Sequence, residues 1–203
     1  MRLIRSGLAF AAVLLAMPAS AHHLMGGHTP ATFWQGLLSG LGHPVIGLDH
    51  FAAVLAVGCL AAAHRSAALL AVGFVVAMMA GVALHVHGTT VPGAELLVAL
   101  TVIGLGALML RNRHMPAAVA LALFAGVGLV HGYALGESIY GAEPTPLYAY
   151  LFGLAVIQTA IVLAAVAATR AYVEREAGLV RLLGAGVAGV GLAVLMQQIV
   201  PAA

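Results

Sequence analysis

Apolar residues in this chain come in runs long enough to cross a bilayer, and the runs recur along its whole length. A spanning helix needs about 20 such residues. Six windows meet that length: 44–63, 67–87, 94–110, 116–135, 147–169 and 179–200. Between them the polar stretches are short. A chain so built folds as helices that satisfy their own backbone groups, because hydrocarbon offers no partner to an open amide or carbonyl. Of the 203 residues, 63% are hydrophobic and 7% charged, against about 25% charged in ordinary soluble domains. The expected class is therefore all-α: a polytopic membrane protein, one bundle of six transmembrane helices. Nothing basic and aromatic-rich suggests a nucleic-acid partner. The lone cysteine, Cys59, sits in an apolar run and reads as a small buried residue.

The first twenty-one residues read as a leader. Arg2 and Arg5 precede a short apolar core, Gly7 to Met17, and Ala19-Ser20-Ala21 fits the small-x-small cleavage pattern. Residues 1–21 are thus expected to be a cleavable signal peptide, and 22–203 a single transmembrane domain. The mature chain would begin His22-His23, with His28 close behind. Thr32 to Leu41 carries Phe33, Trp34, Leu37, Leu38 and Leu41 at helical spacing and reads as an interfacial or re-entrant helix. There are no lysines. The mature arginines are Arg65, Arg111, Arg113, Arg170, Arg175 and Arg181, and all fall in or beside alternate loops. The positive-inside rule places those loops in the cytoplasm and both mature termini outside. Glycines recur along the helices, as Gly128, Gly132 and Gly136 at i, i+4 and i+8 and again as Gly184, Gly186, Gly189 and Gly191, which predicts close helix packing.

Ionisable side chains at membrane depth cost several kcal/mol unless paired or metal-bound, so each one is a functional candidate. They sort by side. Away from the arginines lie His43, Asp49, His50, His85, His87, Glu95, His131 and Glu137. The densest group is "GHPVIGLDHF", residues 42–51. Pro44 disfavours helix at Gly42-His43, and Gly47 lets another backbone approach, so the helix is expected to begin or break in this motif. Unbroken, it would separate His43 from His50 by roughly 10 Å. Either a break folds the two together, or they serve successive stations. Asp49 can orient an imidazole or bind an ion itself. His85 and His87 flank the end of the second span. His131 and Glu137 repeat the spacing of His43 and Asp49, which hints at two inversely oriented halves of three helices. Imidazole and carboxylate donors without thiolates suit nickel, cobalt, zinc or iron rather than copper(I). His64 and His114, beside arginines, read as solvated.

The stretch "HPVIGLDH", His43 to His50, resembles the H-P-x-x-G-x-D-H signature of the hydrogenase and urease accessory membrane proteins called HupE/UreJ. "HGYALGE", His131 to Glu137, resembles their second signature, although Leu135 stands where many relatives carry a more polar residue. The leader, the His-rich lead-in and the six-helix plan are similar too. The resemblance implies a nickel or cobalt permease of the bacterial cytoplasmic membrane that feeds hydrogenase or urease maturation proteins. It implies metal-handling roles for His43, Asp49, His50, His131 and Glu137. His85, His87, His22 and His23 are further candidate ligands. The ion would be cargo, with no permanently bound cofactor and no enzymatic step. Two other readings remain open: a membrane haem protein with two axial histidines, and a metal-binding accessory protein that does not transport.

Overall fold

The computed structural model describes residues 28–111, 114–173 and 178–200. The leader, with His22 and His23, lies outside them. The described residues form seven α-helices and no strand: α1 Phe33–Ile46, α2 Leu48–Ala61, α3 Ala67–Val86, α4 Ala94–Arg111, α5 Ala117–Gly136, α6 Pro144–Val173 and α7 Leu179–Ile199. Five of them, α3 to α7, are each long and apolar enough to cross a membrane. The sixth unit is the bent pair α1 and α2, joined at Gly47 with a 74° change of direction. At 14 residues apiece, each half is only about 21 Å long.

The first span thus differs from its sequence reading. Its first helix begins at Phe33 with Thr32 as its cap, so the piece read as interfacial and the start of the span at Pro44 are one continuous helix. The Thr32 side chain accepts from the Gln35 amide and the Gln35 side chain accepts from the Thr32 amide, a closed capping box. The helix then runs straight through Pro44. Proline withholds one amide hydrogen, but only one turn remains, and Gly47 N–H closes it on the His43 carbonyl at 2.9 Å. The break falls at Gly47, which is extended (φ −71°, ψ 99°). Its own carbonyl already accepts from Phe51 of α2. Both backbone groups of Gly47 are thus bonded, one into each helix, which lowers the cost of a bend at depth.

α2 is the centre of the bundle. Ten of its fourteen residues are buried, and it touches every other helix. A helix apolar all round belongs in such a place. By contrast α7 buries only Gly184, Val187 and Gly191 and faces outward. Arg65, Arg111, Arg170 and Arg181 gather at one end, where α2, α4 and α6 finish and α3, α5 and α7 start. Arg170 reaches across that end, donating to the His64 carbonyl at 2.6 Å and the Ala62 carbonyl at 3.2 Å, and so caps α2.

Three tight helix pairs frame α2, and glycines set all three. A side chain at Gly36 would overlap the Pro146 carbonyl, and one at Gly40 the Tyr150 carbonyl. In return Gly153 lies on the Leu37 carbonyl and Leu41 amide nitrogen. The pair α5 and α3 repeats this atom for atom. Gly128 lies on the Phe74 carbonyl, Gly132 on that of Met78, and Gly81 on the Leu129 carbonyl and Tyr133 amide nitrogen. In the antiparallel pair α4 and α7, Gly106 meets the Gly184 carbonyl and Ala188 amide nitrogen, while Gly191 meets those of Ala99 and Ile103. These contacts relate α1 to α5, α6 to α3 and α4 to α7. That is the pattern of two inversely oriented halves. The alignment differs from the one the histidine spacing suggests. Gly40 matches Gly132, so His131 corresponds to Ser39 and His43 to Leu135, one helical turn away. The halves also differ in length. The first takes 34 residues from Gly40 to Phe74 and the second 14 from Gly132 to Pro146. The extra 20 hold α2, which has no counterpart.

This packing predicts a sharp contrast among glycines. Gly132→Leu, at a backbone contact, should cost about 1–3 kcal/mol or more. Gly126→Leu, with nothing near it, should stay within about 0.5 kcal/mol. Thermal unfolding of the detergent-purified protein checks both.

Candidate metal site at the broken span

The break brings the opening motif together. His43 closes α1, and Asp49 and His50 lie in the first turn of α2. The bend sets the His43 and His50 rings 6.0 Å apart, centre to centre. From α5, His131 approaches His50 with rings 5.1 Å apart and the two Nδ1 atoms at 3.0 Å. All four side chains are buried, His131 completely. The Asp49 carboxylate accepts the His50 amide hydrogen at 2.8 Å. It sits at the N-terminus of α2, where the helix dipole favours negative charge. Gly47 makes room for this, because a Cβ there would come 3.0 Å from His50 Cδ2.

A relay of hydrogen bonds joins these side chains and favours one pair of tautomers. Thr101 of α4 donates its hydroxyl hydrogen to the Val98 carbonyl at 2.8 Å. With that hydrogen on Val98, its oxygen, 2.9 Å from His131 Nε2, is placed to accept, the arrangement in which His131 carries its hydrogen on Nε2. In that tautomer His131 Nδ1 accepts and His50 donates from Nδ1. In the neutral ring this leaves His50 Nε2 as a lone pair. Metal-binding imidazoles are commonly held this way, one nitrogen oriented by a hydrogen bond and the other presented.

The remaining candidates lie elsewhere. His85 donates from Nδ1 to the Tyr133 carbonyl at 2.9 Å and packs between the Tyr133 and Tyr140 rings. His87 is exposed at the end of α3. Glu137 is exposed in the 3-10 turn Glu137–Ile139 that follows α5. It stands a turn and a half beyond buried His131, at the mouth opposite the arginines. The histidines are thus divided between a buried group and a surface group. Among the described residues, no three His, Cys, Asp or Glu side chains already stand ready to hold one ion. His50 and His131 are bonded to each other instead.

Sequence reasoning passed over two side chains. Thr101 is a lone hydroxyl in an apolar run, and only its partner reveals it. Gln158 of α6 is completely buried, and its one sequence signal is an amide in the middle of the longest span. One reading is also corrected. His64 is buried rather than solvated, with its ring 5.0 Å from that of His114.

Comparison with known proteins gives consistent findings. A family model described as HupE / UreJ protein matches residues 10–194. The chain is 37% identical over 124 residues to Protein HupE of Rhizobium leguminosarum bv. viciae, covering 60% of this chain and 62% of that protein. The chain therefore spans somewhat less than two thirds of the curated relative it matches. No solved structure matches.

Two measurements check the local chemistry. Nitrogen-detected NMR should find His131 protonated at Nε2, and Thr101→Val should release that preference. His64 lies in the α2–α3 connection, where burial first and the His114 ring second push its pKa below 6.5. The unfolded chain then binds more protons than the folded one just below pH 6.5, so stability declines as pH falls through that window. His114→Ala should move the His64 titration upward.

Proposed function

Since the chain belongs to the HupE/UreJ family, we propose that it is a permease carrying Ni²⁺ or Co²⁺ through the cytoplasmic membrane, with its arginine end in the cytoplasm. The ion would supply hydrogenase or urease maturation. One observation carries the reading: three histidines and an aspartate are buried at a break in the central span of an apolar bundle. Broken helices at the interface of inverted halves are where secondary transporters bind their substrates.

The side chains suggest an order of events. His85, His87 and Glu137 meet the ion at the mouth, with His22 and His23 ahead of them in the chain. It sheds water and moves to the break, where the lone pair of His50 Nε2 and the Asp49 carboxylate receive it. His43, across the bend, is the next donor. His131 holds the His50 ring in position. Imidazole and carboxylate bind these ions without thiolate permanence, so the cargo can leave. The unready geometry also helps, because a site that must rearrange to bind does not trap its ion. A haem bound between His50 and His131 fits poorly: with Nδ1 atoms in hydrogen-bond contact, there is no room for a porphyrin.

Radiolabelled nickel and cobalt uptake in cells tests the proposal. His50→Ala and Asp49→Ala should lower the initial rate about tenfold or more, and His131→Ala comparably, as loss of an orienting partner does. His87→Ala should have a smaller effect. Protons compete with metal for imidazole nitrogen, so uptake should fall as external pH drops below about 6. Flat uptake from pH 5 to 8, or wild-type rates in all three buried-site variants, would refute it.

A further inference from the structure

Gln158 lies in the interior of α6 with none of its surface exposed. Neither its amide oxygen nor its amide nitrogen has a hydrogen-bond partner among the described residues. A primary amide shut into an apolar bundle without partners is a standing cost to the fold, and leucine would fill the same space without it. Some use must offset that cost.

Its place on α6 indicates the use. Tyr150 and Leu154 of α6 lie against Gly40 of α1, and Val162, Ala165 and Val166 lie against Gly58 of α2. Gln158 is one turn beyond Leu154 and one turn short of Val162, on the same face. That face meets α1 before the break and α2 after it. The pairs Gly36 with Pro146 and Gly40 with Tyr150 share one register. Gln158 lies between these two sets of contacts, past the Gly40 level of α1 and short of the Gly58 level of α2, along the stretch of chain that holds the break.

We propose that Gln158 lines the ion path at the break, and that its amide oxygen takes a place on the passing divalent cation, directly or through one of the cation's waters. This rests on the permease reading and adds a donor to it. The chemistry fits. An amide oxygen is a hard, uncharged donor that can replace a hydration water. It adds no negative charge to that of Asp49, so it guides the ion without deepening the well. The NH₂ end can donate to the Asp49 carboxylate or a bound water as the ion passes. The matching position in the first half is Val86 of α3, so the amide is not repeated there.

The test uses the full chain with Gln158→Leu and Gln158→Glu, followed by two readouts. These are radiolabelled nickel and cobalt uptake in cells, and thermal unfolding of purified protein with and without nickel chloride. Gln158→Leu removes an unpaired amide, so the metal-free protein should melt a few degrees higher than wild type. Its uptake should nonetheless fall about tenfold, and nickel should stabilise it less. Gln158→Glu keeps an oxygen donor, so it should retain nickel-dependent stabilisation and transport within about threefold of wild type. A Gln158→Leu protein that transports like wild type would overturn the inference and leave the permease reading intact. So would one that melts lower and loses uptake only in proportion to folded protein. A wild type inert to both metals in both assays would overturn the permease reading and this inference with it.

Discussion

Hydrocarbon gives an amide hydrogen or a carbonyl nothing to bond with, and the architecture answers to that rule at the one place where it is strained. A spanning helix cannot simply stop at mid-depth. Here it stops at Gly47 because the chain on both sides repairs itself. Gly47 donates back to His43 and accepts forward from Phe51, and the resumed helix is enclosed by protein rather than lipid. Enclosure depends on the glycine contacts, since only hydrogen side chains let α6, α1, α3 and α5 approach closely enough to seal around α2. The same enclosure makes buried His50, Asp49 and His131 tenable. Each finds its partner inside the protein.

The two halves of the bundle share a scaffold but not a chemistry. The glycine contacts agree down to the individual backbone atom, while the polar residues do not match between the halves. His131 stands against Ser39, Gln158 against Val86, and α2 against nothing. The paired packing supplies the scaffold, and the inserted half-helix brings Asp49 and His50 into it. Helices in lipid gain little from the hydrophobic effect and associate through close packing and internal hydrogen bonds. Packing is therefore the part of the structure that two halves can share.

Much of this was legible in the sequence. Apolar run length gave four of the spans almost to the residue and a fifth, α6, three to four residues short at each end, and the arginines marked one end. The motif from His43 to His50 announced both a break and a cluster. What could not be read depended on register. Pro44 looked like the breaking point, but Gly47 breaks the helix, because a proline near a helix end removes only one bond. The six-residue echo between His43 and His131 suggested paired halves, in an alignment that the glycine contacts do not share. Glycine contacts decide the alignment, and they involve backbone atoms that carry no side-chain signature. Thr101 and Gln158 are single polar residues among aliphatic ones, and spacing gives no hint of the neighbour that makes each matter.

Arg170 gives this arrangement a mechanical consequence. Its guanidinium grips the far end of α2 through the Ala62 and His64 carbonyls, while the near end is joined to α1 by the single extended residue Gly47. One end of α2 is thus tied to α6 by two charged hydrogen bonds, and the end that carries Asp49 and His50 is tied to α1 by one residue. Any displacement of α2 is resisted most at its arginine end and least at the histidine, so a charge far from the buried imidazoles sets which end of the helix is the anchored one.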